Sequence, residues 1–162
     1  MPAPATIRQQ IVAKIIARLA RIQVANGFQT DIGLQPAEDW PTRYSNDELR
    51  EATRLGVFDL TNKSFQDEPE QKKIANVLPL QVRIFHARET TPAQLRTMMA
   101  DVMKAIISDE LTGEREPTFG GLAWDTKPDE DGFIIPKETF SIDGAAVGFT
   151  VEFLAAPFDA YQ

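Results

Sequence analysis

The chain has 162 residues, 43% hydrophobic and 25% charged, a composition that folds as one globular domain (1–162) and buries roughly 70% of its unfolded surface. No apolar run approaches the roughly 20 residues of a membrane-spanning helix, and zero cysteines exclude disulfides, thiolate zinc sites and cysteine redox chemistry while fitting a reducing cytoplasm. A net charge of −7 argues against a basic nucleic-acid-binding face; residues 1–60 balance 7 basic against 7 acidic side chains, whereas residues 61–162 carry 10 against 17.

The N-terminal MPAPATIRQQ lacks a basic segment followed by an unbroken apolar core, so no export signal is expected. Thr6, with Gln9 three residues on, predicts a capped helix. Ile7, Ile11, Val12, Ile15, Ile16, Leu19 and Ile22 form its apolar stripe, and Arg8, Lys14, Arg18 and Arg21 its exposed basic face, with Asn26-Gly27 as the stop. "FQTDIGLQP" is a short strand candidate, and "AEDWPTRYSNDELREA" a loop with a helical turn started by Ser45 or Asn46. "LGVFDL" reads as a second strand, followed by the polar connection "TNKSFQDEPEQKK". From Leu80 the alternation of Leu80, Val82 and Ile84 with Gln81, Arg83 and Phe85 predicts a half-buried strand ending near His86 to Arg88, with Pro79 at its start or edge.

Thr91, Pro92 and Gln94 form the clearest helix start, and Leu95, Met98, Met99, Val102, Met103, Ile106 and Ile107 the stripe that follows; the methionines are expected in the core. Three strand patterns close the chain: "GGLAWDT", "FIIPKETFSI" and "AAVGFTVEFL", the last two joined by Asp143-Gly144 as a hairpin turn. In the final strand Val147, Phe149, Val151 and Phe153 share a face opposite Gly148, Thr150 and Glu152.

"KPDEDGFIIPKE" resembles a calcium loop, with Asp129, Asp131, Gly132 and Glu138 at ligand-pattern positions, but Lys127 stands where the first anionic ligand belongs. Its place between two strand patterns predicts the solvated turn of a β-hairpin instead. The lone His86 has no neighbouring nucleophile, and Gly120-Gly121 lacks the Lys and spacing of a phosphate loop. No residue is assigned a catalytic, cofactor or metal role.

The order of elements is a capped helix ending "QVANGFQTDIG", a meander of strands, a helix opened by "TTPAQL", "FGGLAWD", and a terminal hairpin ending "VGFTVEFLAAP". It resembles the tail terminator (minor tail protein U-like) proteins of long-tailed bacteriophages and prophages. The likeness is sharpest at Asn26-Gly27-Phe28, Thr30-Asp31-Ile32-Gly33 and Gly120-Gly121-Leu122. It implies an α+β fold: a mostly antiparallel sheet with two helices on one face and a C-terminal hairpin. Six copies would form a ring on the head-proximal end of the tail tube, ending tube growth and offering a surface to the head-tail connector. The partners implied are further copies of the chain, the tube protein and the connector, with DNA passing through unbound and no membrane. Such a protein belongs to the virion, and to the host cytoplasm during assembly. In such a ring the basic face (Arg8, Lys14, Arg18, Arg21) is expected to meet the acidic 109–131 region, Glu114 and Glu116 included, between subunits; alternatively the acidic loops line the channel. Contacts to tube or connector are expected at Trp40, Arg43, Tyr44, Phe65, Lys72 and Lys73. The alternatives are another phage neck or tail-completion protein of similar fold and a small-molecule or metal-binding α+β domain.

Overall fold

A computed structural model describes residues 5–33, 36–38, 52–60, 74–86, 90–129, 133–135 and 143–155. Two α-helices, α1 (Ile7–Leu19) and α2 (Pro92–Ile106), lie against a six-stranded sheet of β1 (Ala37–Glu38), β2 (Arg54–Asp59), β3 (Ile74–His86), β4 (Asp125–Pro128), β5 (Phe133–Ile135) and β6 (Asp143–Ala155). The order is β1-β2-β3-β6-β4, with β5 also paired to β6. Every pairing is antiparallel except β1 with β2, so the fold is α+β with a mostly antiparallel sheet.

Both helices start as their sequences dictate. The Thr6 and Thr91 hydroxyls accept from the Gln9 and Gln94 amides while those glutamine side chains accept from the Thr6 and Thr91 amides. Each reciprocal cap satisfies two helix-end donors, a contribution of about 1 kcal/mol. α1 ends at Leu19, ahead of Asn26-Gly27; residues Val24–Asn26 form a single 3-10 turn closed by Gly27 at φ 83. Its stripe of Ile7, Ile11, Val12, Ile15 and Leu19 is buried, as are Leu95, Met98, Val102, Ala105 and Ile106 of α2. Met98 enters the core and Met99 packs against it, whereas Met103 is exposed.

The sheet supplies the opposing half of this core. β3 pairs with β6 over their whole length, bringing Leu78 opposite Val151, Leu80 opposite Phe149, Val82 opposite Val147 and Ile84 opposite Ala145, all buried. Leu55 and Val57 of β2 extend the layer beside Ile84 and Val82. Full burial of side chains of this kind contributes about 1.5–3 kcal/mol each.

Four local expectations are corrected. Pro79 lies inside β3, just beyond the last residue paired with β2, and its carbonyl accepts from the Leu60 amide at 3.0 Å. A proline there forfeits a donor only past the ladder shared with β2. Asp143 and Gly144 are not a turn; they open β6 opposite His86 and Phe85. β5 and β6 are still successive antiparallel neighbours, the C-terminal hairpin. "GGLAW" is not strand: Phe119, Gly120 and Gly121 have φ of 52, 70 and 87, and β4 begins only at Asp125. Finally, 127–133 is no hairpin turn. β4 and β5 run along the same edge of β6, and from Pro128↔Phe149 to Phe133↔Ala146 the edge advances five residues against three on β6. β4 and β5 thus follow one another along one edge of β6 instead of pairing with each other.

Of the remaining readings, "FQTDIG" forms irregular chain with Phe28 and Ile32 buried, and β1 arises within the segment read as loop. The expected helical turn at Ser45 or Asn46 and the connection at 61–73 fall outside the described residues.

Candidate functional site

Lys14 and Arg18 on one side of α1, and Arg21 just past its end, recur at helical spacing and would share a solvated face if nothing covered it. The chain following α2 covers it. Ser108 bridges Arg115, and the intervening turn is built on Asp109, whose carboxylate accepts from the Leu111 and Thr112 amides at 2.8 and 2.7 Å. Those two backbone donors, Thr112 first, hold the Asp109 carboxyl below its ordinary range. The hairpin lays Glu110 and Glu116 against α1.

Arg18 sits at the centre with 1% of its surface exposed. Its guanidinium donates to the Ile106 and Glu116 carbonyls at 2.6 and 2.7 Å, to Glu110 Oε2 at 3.3 Å and to Glu116 Oε2, and lies 4.3 Å above the Phe119 ring. Lys14 reaches Glu110 at 2.5 Å, and Arg21 donates to the Asp109 carbonyl at 2.6 Å. Lys14 first, then Arg18, draws the Glu110 carboxyl below its usual range. For Glu116 burial pushes upward, but bonds from Thr118, Arg18 and the Gly120 amide outweigh it, leaving the carboxyl lowered. Basic face and acidic region thus meet within one chain, where the expectation placed the contact between subunits. Four of the five donors in the Arg18 guanidinium's fixed fork are taken by its own fold.

Arg8, the remaining member of the basic face, pairs with Asp59 of β2 at 3.1 Å. Glu114 stays exposed on the turn. Trp40, Arg43, Tyr44, Phe65, Lys72 and Lys73 lie outside the described residues.

The segments that carry the family resemblance tie the helix layer together. Asp31 Oδ1 accepts from the Val24 amide at 2.8 Å, and the Gln29 amide and Thr30 hydroxyl donate to buried Asp101 of α2. Gly33 passes so close to α1 that a Cβ would stand 2.7 Å from the Leu19 carbonyl oxygen and 2.8 Å from that of Ala20. Asp101 escapes a sequence reading because its acceptors' partners are 71 and 72 residues away.

The opposite face of the sheet carries surface of another character. Val77, 56% exposed, lies across from Glu152, and Leu154 is exposed on the same face at the same end. Glu152 pairs with Lys127 at 2.8 Å, raising the Lys127 pKa, and its carbonyl accepts from the amide of Trp124, a side chain 70% exposed. Midway along β3, Arg83 stacks over Phe58 at 4.4 Å and donates from Nε to Gln81 Oε1 at 2.7 Å. Neither this stack nor the exposed tryptophan has a signature in periodicity. Among the described residues no group of three or more His, Cys, Asp or Glu side chains is placed to hold a metal, and no helix is long and apolar enough to cross a membrane.

No protein-family model and no curated protein matches the chain.

Proposed function

We propose that this chain is a structural virion protein that caps the head-proximal end of a long-tailed phage's tail tube. On this reading it forms a homohexameric ring, ends tube growth and offers the surface on which the head-tail connector seats. DNA passes through the ring unbound, and the protein performs no catalysis.

The observation that carries the proposal is the division of labour between the two faces of the sheet. Both helices bury their stripes on one face, joined there by the turn segments that resemble the terminator family. The other face keeps Val77 and Leu154 exposed together with the Lys127–Glu152 pair, a mixed apolar and charged surface of the kind that neighbouring subunits use. Interface composition of this type suits a non-obligate contact made during assembly.

The test is tube capping. The tail tube protein of the same phage is polymerised with and without this chain, and gold-labelled chain is located by electron microscopy. Label confined to one tube end, with shortened tubes, is the expected result. Label along the tube wall, or none at all, would overturn the proposal. Label at the baseplate-proximal end would favour a different tail-completion role.

A further inference from the structure

Arg83 is a cation that no carboxylate among the described residues neutralises. It stands mid-strand on β3, between Gly56 of β2 and Ala146 of β6, both buried. The Phe58 ring supports its guanidinium at 4.4 Å and Gln81 fixes Nε at 2.7 Å. Its terminal nitrogens have no ion-pair partner among the described residues, so a planar donor fork is presented on a rigid base. The other cations among the described residues are placed differently. Arg8, Lys14, Arg18 and Lys127 meet carboxylates, Arg21 and Lys104 bind backbone carbonyls, Arg54 is engaged, and Arg96 and Arg115 are exposed. Arg83 is partly buried, where a missing anion matters more than it does in open water.

Glu114 is its counterpart on the other side of the molecule. Its backbone is locked in the Asp109 turn, with its carbonyl accepting from the Asp109 amide at 2.8 Å and its amide donating to the Thr112 hydroxyl. The turn is pinned to α1 by Lys14, Arg18 and Arg21. The Glu114 carboxylate is exposed and has no partner among the described residues. Because the turn belongs to the helix layer and Arg83 to the far face of the sheet, the sheet separates them within one chain. They can meet only between copies.

We propose that Glu114 of one copy docks on Arg83 of the next, a head-to-tail carboxylate–guanidinium contact that gives the assembly its direction. A contact joining two different surfaces leaves one of each free on a pair, so it propagates until a ring closes. This inference rests on the self-assembly in the proposed function and adds to it the pair of surfaces used.

The experiment is a charge-swap cycle on the full chain. Sedimentation velocity over a wide concentration range is run on wild type, Arg83→Glu, Glu114→Arg, the double swap, and Glu38→Arg, which reverses another exposed acid, on β1. Each variant is first checked for a wild-type circular dichroism spectrum; Arg83→Gln replaces Arg83→Glu if the latter misfolds. Each single reversal at position 83 or 114 is expected to weaken association about tenfold or more, and the double swap to recover most of it. Glu38→Arg is expected to behave as wild type. Singles without effect on an assembling wild type, or a double swap that recovers nothing, overturn the pairing and leave the ring standing. A wild type that never associates overturns the pairing and the ring together.

Discussion

Replacing Arg18 with methionine is the most informative perturbation of this fold, because the guanidinium joins α1, the end of α2 and the hairpin that follows. Methionine keeps the apolar stem and removes only the charged fork. Two carbonyls, of Ile106 and Glu116, lose their donor, at about 1 kcal/mol each. The contact with Phe119 at 4.3 Å adds about 1 kcal/mol. The two carboxylates are 22% and 24% exposed and retain Lys14 and Thr118 as partners, so their loss is discounted to about 1 kcal/mol together. The sum is about 3–4 kcal/mol, in the range found when one partner of a buried pair is removed. In urea, with a slope of about 2 kcal/mol/M, the unfolding midpoint falls by about 1.5–2 M. Arg8→Met is the control. Its pair with Asp59 is 40% and 31% exposed and is expected to contribute less than about 1 kcal/mol. If Arg18→Met shifted the midpoint no more than Arg8→Met, the buried clasp would not be what holds the hairpin to the helix.

The clasp also sets the acid limb of stability. Glu110 and Glu116 have folded pKa values below their reference value of 4.5, so their contribution is complete above about that pH and is lost as pH falls through the lowered folded values; unfolding at pH 7 and pH 3 in Arg18→Met should show a smaller acid loss than in wild type. Gly33→Ala puts a Cβ 2.7 Å from a backbone oxygen and is expected to destabilise by more than about 2 kcal/mol, whereas Gly27→Ala, with open space but φ 83, should lose about 1–2 kcal/mol; thermal melts of both check the order. Asp101→Ala strips the Gln29 amide and Thr30 hydroxyl of their shared acceptor and should lower stability by about 2 kcal/mol, with hydrogen exchange accelerating at Gln29.

What could be read from the sequence were features carried by neighbours along the chain. Thr6 with Gln9 and Thr91 with Gln94 state their caps within four residues, and the stripes of α1 and α2 state the faces they bury. The alternation from Leu80 likewise placed the core face of β3. Errors arose where a distant partner changes the meaning of a residue. Pro79 looks like a boundary until β2 is known to stop pairing at Leu80. Asp143-Gly144 looks like a turn until the two are found paired with His86 and Phe85 at the start of β6. Arg18 fits a solvated stripe by periodicity, and only the return of Glu110 and Glu116, 92 and 98 residues later, buries it. The basic face and acidic hairpin attract each other as their charges dictate, but a one-dimensional charge pattern does not distinguish a contact within a chain from one between chains.

The most direct test of the proposed role is the mass of the assembly. Sedimentation equilibrium of the wild-type chain, alone and with short tail-tube segments, is expected to give a species of six times the 18.1 kDa chain mass, favoured by the tube. A monomer at every concentration, with and without tube, would contradict the ring.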